Sequence, residues 1–96
     1  MFALHYQMIA KEGAGDALHA ALTAVAAGLQ KLPGFEAAEL MRDNEAPQRL
    51  LFVEKWTSSQ AHAAAGALAP KEALSRVMAL LATRPARTTY EIMPTG

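Results

Sequence analysis

Cysteine is absent from this 96-residue chain. That excludes disulfides, thiolate metal sites and thiol catalysis, and it fits a reducing compartment. An excess of one charge is missing too: nine basic and nine acidic residues cancel, and no block of like charge occurs. A nucleic-acid binder shows a basic stripe or aromatic-rich ribonucleoprotein strands; neither is here, so no nucleic-acid partner is expected. No apolar run approaches the roughly 18–20 residues that span a bilayer. The apolar start, residues 1–10, lacks a basic leader, is interrupted by His5 and Gln7, and runs into Lys11-Glu12 without a clear processing site. The expectation is a cytoplasmic protein with no membrane partner.

What is present fits one domain over residues 1–96. A chain of this size buries only about 60–65% of its unfolded surface, so the core is modest. Residues 2–9 alternate as a strand. Gly13-Ala-Gly15 breaks it, and Asp16 is placed to cap a helix. That helix carries Leu18, Leu22, Val25, Leu29 and Leu32 as one stripe, and Pro33-Gly34 stops it. A second strand covers Phe35 to Arg42, a turn follows through Pro47, and a third strand runs from Arg49 to Trp56. Thr57 and Gln60 read as a capping box for a second, alanine-rich helix. Pro70 should break or kink that helix, and its second piece presents Leu74, Val77, Met78 and Leu81 on one face. Arg84-Pro85 ends it, and residues 86–93 make a last strand. The order β-α-β-β-α-β predicts an α+β fold, a ferredoxin-like split βαβ sandwich with an antiparallel four-stranded sheet and both helices on one face.

Two helices cover one face of such a sheet. Yet the third strand offers Leu51 and Val53 on one side and Phe52 and Trp56 on the other, as strands buried on both faces do. An open apolar face marks an interface. The expectation is a homodimer in which two sheets close into a dimeric α+β barrel.

The third strand also holds the candidate chemistry. Strand alternation sets Leu50, Phe52, Glu54 and Trp56 on one face, so a carboxylate and the only tryptophan share an apolar surface. A buried Glu54 needs a hydrogen bond, a cation or a proton; Arg76 on the second helix is an available partner. The pair reads either as structural or as a catalytic base with its cation. His62 lies near the start of the second helix, where a helix amino terminus disfavours imidazolium. It is either a neutral base leaning over Trp56 or a helix-surface histidine. Tyr6 and Trp56 make either an aromatic wall for a flat ligand or plain core. His5 points towards the dimer barrel and His19 towards solvent. The three histidines lack metal-ligand spacing, and no dinucleotide, phosphate-loop or nucleophile-elbow pattern is present, so no metal or other cofactor is expected.

The strand-one entry to Gly13, the Leu32-Pro33-Gly34-Phe35 junction and above all Arg49-x-x-Phe52-x-Glu54-x-Trp56 followed by Ala61 resemble the antibiotic biosynthesis monooxygenase domain, a branch of the dimeric α+β barrel superfamily. The resemblance covers nearly the whole chain. It implies a homodimer with an apolar cavity between sheet and helices, in which polycyclic phenols or quinol-type small molecules react with molecular oxygen without metal or flavin. Trp56 matches the family's pocket tryptophan. His62 falls where some members place a cavity tyrosine, and Arg76 roughly where a cavity arginine occurs. Many members carry a histidine nine residues after the tryptophan, where this chain has Ala65. The haem-degrading branch uses a strand-one asparagine, here replaced by Tyr6, which disfavours haem degradation.

The resulting expectation is a cofactor-independent monooxygenase of aromatic quinol- or phenol-type molecules. Trp56, Phe52 and Tyr6 form its wall, His62 or Glu54 is the base, and Arg76 is the oxyanion or carboxylate partner. Its alternative is a non-catalytic ligand-binding or structural homodimer of the same fold. The two differ in the space beneath the helices: an enzyme of this kind calls for a cavity of about 300 Å³ or more with a few convergent polar groups.

Overall fold

A computed structural model describes residues 1–96. The chain runs β1 (Phe2–Ile9), α1 (Gly15–Leu29), β2 (Phe35–Arg42), β3 (Arg49–Trp56), α2 (Ser59–Ala65), a 3-10 turn (Gly66–Leu68), α3 (Lys71–Ala79) and β4 (Ala86–Glu91). The four strands form one antiparallel sheet in the order β2-β3-β1-β4. This is the expected βαββαβ sandwich, with the second helix divided at Pro70 into α2 and α3.

The sheet register decides which side chains meet. Opposite Leu4 on β1 stands Glu54 on β3, and opposite Tyr6 stands Phe52. On its other side Tyr6 faces Arg87 of β4. Directly opposed residues share a face. The helix-facing surface therefore carries Leu4, Tyr6, Met8, Leu50, Phe52, Glu54 and Trp56 together. Against it lie Leu18, Leu22, Val25 and Leu29 of α1, all buried. Each such side chain contributes about 1.5–3 kcal/mol by leaving water. Leu32, just past the helix, packs half-buried on the same core.

The helix layer is held off-centre. α1 packs on β2 and β3 and against α3, while α2 meets the end of β3. All six residues of β4 are exposed. Two glycines set this arrangement. At Gly34, φ is +85°, and a Cβ there would lie 2.5 Å from that of Ala61. Only glycine suits that backbone and lets α2 start so close to the β2 entry. Gly28 is the last residue but one of α1. A Cβ at Gly28 would stand 2.9 Å from the Pro70 ring, so its absence lets α1 seat the break between α2 and α3.

Several local expectations are corrected. Ala14, not Asp16, occupies the cap of α1; Asp16 lies in the first turn, with its carboxylate 3.0 Å from Arg42. Its charge still suits the helix dipole there. The Thr57–Gln60 box does not form. The Thr57 backbone N–H donates to Gly34 O, which keeps Thr57 with the sheet, and Ser58 Oγ accepts from the Ala61 backbone N–H at 3.1 Å. The helix thus starts one residue later. On α3, Val77 is buried, but Leu74 and Met78 are exposed; Leu81 is buried beyond the helix end, in a bridge to Ala10. α3 stops at Ala79, before Arg84-Pro85, and β4 ends at Glu91 rather than at 93.

Candidate active site

The space between the sheet and the helices holds two adjoining chambers. One, of ≈ 110 Å³, is bounded by Trp56, His62, Ala65, Pro70, Leu29 and Leu32; the other, of ≈ 90 Å³, is bounded by Phe52, Met8, Leu22 and Val77. Tyr6, Glu54, Val25 and Leu74 border both. A carboxyl and a phenol therefore stand at the waist of an otherwise apolar space. Each chamber is smaller than the roughly 150 Å³ cavity known to accept a benzene ring. The volume falls short of the about 300 Å³ sought for a drug-sized ligand.

Trp56 is 1% exposed and anchors the first chamber. Phe35 meets its ring edge-on at 5.2 Å and His62 at 5.4 Å, within the range of favourable aromatic contacts. Its Nε1–H donates to Glu54 Oε1 at 2.9 Å. Residues i and i+2 of a strand lie on one face, which is why these neighbours bond. Glu54 is 8% exposed. Its Oε2 has no protein hydrogen bond, yet no buried side-chain polar atom is left unpartnered. Oε2 is therefore open to the cavity that Glu54 lines.

Burial pushes the Glu54 carboxyl above the usual carboxylate range; the Trp56 hydrogen bond and then the Arg87 guanidinium oppose this. Burial raises the Tyr6 phenol, the Glu54 charge adds to the rise, and Arg87 acts the other way. His62 is pushed below its ordinary value, first by burial and then by Arg87. The carboxyl, moved up, approaches the pH range in which a general base works best, while the imidazole, moved down, becomes a weaker base. At neutral pH the imidazole is uncharged and can accept a proton.

The structure brings five of the six candidate residues, Tyr6, Phe52, Glu54, Trp56 and His62, to one cavity. Arg76 does not join them: it is exposed on α3, forms no ion pair and borders neither chamber. Val77, the next residue, is the one that α3 buries, and adjacent helix positions point about 100° apart. The cation whose charge acts on Glu54, Tyr6 and His62 is Arg87 of β4, which sequence reasoning missed; it faces Tyr6 and, like Arg76, borders neither chamber. Its signal was the parity of the last strand, but that points to Tyr6 only once β4 is known to pair with β1. Nowhere do three His, Cys, Asp or Glu side chains converge to hold a metal ion, and no helix is long and apolar enough to cross a membrane.

Comparison with known proteins agrees with this arrangement. The family model described as antibiotic biosynthesis monooxygenase matches residues 1–69. A mutant of SnoaB, a cofactor-independent oxygenase from Streptomyces nogalater, superimposes with a TM-score of 0.86 at 19% identity, over 98% of this chain and 94% of that one. Rv0793 from Mycobacterium tuberculosis gives 0.82 at 21% identity, over 98% and 96%. A conserved protein of Methanosarcina mazei gives 0.78 at 14% identity, over 93% and 89%. At these identities the likeness is one of fold. Among curated proteins, none matches the chain.

Proposed function

Because the chain belongs to the antibiotic biosynthesis monooxygenase family, we propose that it oxygenates a small phenol or quinol in the cavity beneath its helices, without metal or flavin. The observation that carries this reading is the Glu54 carboxyl: buried, held at Oε1 by the Trp56 indole, and free at Oε2 in an apolar chamber beside a neutral His62. Glu54 takes the phenolic proton, with His62 as the neighbouring acceptor. The phenolate passes one electron to dioxygen, and the resulting radical pair joins at a ring carbon bearing hydrogen. Loss of water from that hydroperoxide leaves a carbonyl: one oxygen atom enters the product and the other leaves as water. Exclusion of bulk water sharpens each charge interaction and protects the intermediates. Trp56, Phe52 and Tyr6 clamp the ring.

The chamber volumes suit a single-ring phenol that spans both chambers better than the larger polycycles. The same volumes favour a second reading, a dimer that binds a small ligand without turning it over. Oxygen-electrode traces with a panel of phenols and hydroquinones separate the two. Enzyme-dependent uptake, with quinone formation at one product per dioxygen, is the expected result; uptake no faster than the protein-free control would leave only binding.

The second copy belongs to the same proposal. The face of the sheet away from the helices exposes Ile9, Met41, Tyr90 and Ile92 and includes half-buried Leu51. His5 meets Tyr90 edge-on there, at 4.7 Å. An apolar sheet face of this kind is covered by a partner, and a second identical sheet completes the barrel. Sedimentation velocity at micromolar concentration should give a dimer; a stable monomer would refute that part.

A further inference from the structure

Four residues border both chambers: Tyr6, Val25, Glu54 and Leu74. Side chains that line two adjoining spaces stand where those spaces meet. Tyr6 and Glu54 belong to the sheet, and Val25 is buried on α1. Leu74 alone of the four comes from α3, and it is 39% exposed. It therefore faces the cavity and solvent at once. The wall of the second chamber holds no other exposed residue, and that of the first holds only Gly66 besides. The junction of the chambers is thus also a place where the cavity wall reaches solvent, and one aliphatic side chain covers it. Met78, about one turn further along α3, is more exposed than Leu74 yet borders neither chamber.

We propose that Leu74 determines specificity by setting the largest ring that the cavity admits. This rests on the reading that a phenol binds beneath the helices, and it names the residue that limits the size of that phenol. Neither chamber alone, at ≈ 110 and ≈ 90 Å³, reaches the roughly 150 Å³ that accepts a benzene ring. A single ring therefore lies across the junction, with Leu74 on the α3 side and Glu54 on the sheet side. A second, fused ring needs the room that the Leu74 side chain takes up. In an apolar pocket one methylene changes affinity by about 10–200-fold, so the branched end of a leucine is enough to decide between one ring and two. The other border residues are less free to vary. Tyr6 and Glu54 carry the polar chemistry, and Val25 is core at 2% exposure, where truncation leaves a costly void. Leu74, partly open to water, gives up less packing when it is cut back.

The test is binding of phenol and 2-naphthol, measured by calorimetry and ligand-observed NMR, to wild type and to α3 variants whose fold is checked by circular dichroism. Leu74→Ala should raise the affinity for 2-naphthol relative to phenol by at least about tenfold, the lower end of what one methylene is worth in such a pocket. Leu74→Phe adds bulk at the same place and should weaken phenol by about tenfold, the scale of mild overpacking. Leu74→Met, which conserves volume, and Met78→Ala should both keep the wild-type ratio. An unchanged ratio in Leu74→Ala, or an equal rise in Met78→Ala, overturns the assignment and leaves the phenol site standing. Should Leu74→Ala not fold, Leu74→Phe decides: undiminished phenol binding there overturns the assignment as well. If wild type binds neither ligand, the aromatic site falls and the specificity assignment with it.

Discussion

Glu54→Gln should lower oxygen uptake with a bound phenol by about 10²–10⁴-fold, the usual contribution of a positioned general base, and leave the fold intact. The substitution isolates proton transfer. A glutamine carbonyl still accepts from Trp56 Nε1 as Glu54 Oε1 does now, and the shape of the chamber is unchanged. What is lost is the ability to take a proton at Oε2. Full retention of activity would leave His62 as the base, which His62→Ala would then expose.

The same variant carries a stability signature of opposite direction. Burial raises the folded-state pKa of Glu54 above its ordinary value. The folded state therefore holds the proton more tightly than the unfolded chain does. Its contribution to stability is complete below the ordinary glutamate pKa and is lost as pH rises through the raised value. Glutamine carries no charge to desolvate, so Glu54→Gln should match or exceed wild type in Tm at pH 8, and the difference should fade towards pH 4. Thermal melts across that range give the answer. A variant less stable than wild type at pH 8 would mean that the Trp56 and Arg87 contacts outweigh the cost of burying the carboxylate. A less active yet more stable protein is the combination that a strained, functional carboxyl predicts, whereas a purely structural ion pair predicts loss of both.

Trp56→Ala should have the largest effect on the fold, about 3–5 kcal/mol of destabilisation. The indole is among the largest fully buried side chains, and it fills the corner where β3 turns into α2. Its removal merges the corner with the first chamber, strips Phe35 and His62 of their ring contacts and leaves Glu54 Oε1 without a donor. Because this is the only tryptophan, urea unfolding is best followed by far-ultraviolet circular dichroism. A cost below about 1 kcal/mol would show that the site tolerates collapse and that the indole is no wedge. Trp56→Phe separates packing from the hydrogen bond. It keeps an aromatic ring but not the N–H, so the Glu54 pKa should climb further, and the pH profile of oxygen uptake should move to higher pH with it.

Local pattern marked out the strands and α1 well because each has a period that one face of a layered fold imposes. β1, β2 and β3 fall on the alternating segments, and α1 buries its stripe from Leu18 to Leu29. Caps were less legible. Asp16, Thr57 and Ser58 are all competent capping residues, and the choice among them was made by neighbours distant in sequence. Arg42 and the Pro47 carbonyl crowd Gly15, and the Gly34 carbonyl takes the Thr57 N–H. On α3 the apolar pattern named four residues, but the turn after Pro70 rotates the helix so that Val77 alone of its own residues is buried.

For the site, the period-2 pattern of β3 by itself put Glu54 between Phe52 and Trp56 on one face, and the composition by itself left a single tryptophan to anchor it. Those are consequences of strand geometry, which any sequence carries within a few residues. The sequence could not show that Arg87, rather than Arg76, is the guanidinium whose charge acts on Glu54, Tyr6 and His62. That depends on β4 lying beside β1 in the register that opposes Arg87 to Tyr6, and on α3 turning Arg76 outward after a proline break. Nor could it show that the space beneath the helices is two small chambers, since cavity volume is what remains after all the neighbouring side chains have packed. Local chemistry is written in adjacent residues; the partner charge and the volume are set by contacts between elements far apart in the sequence.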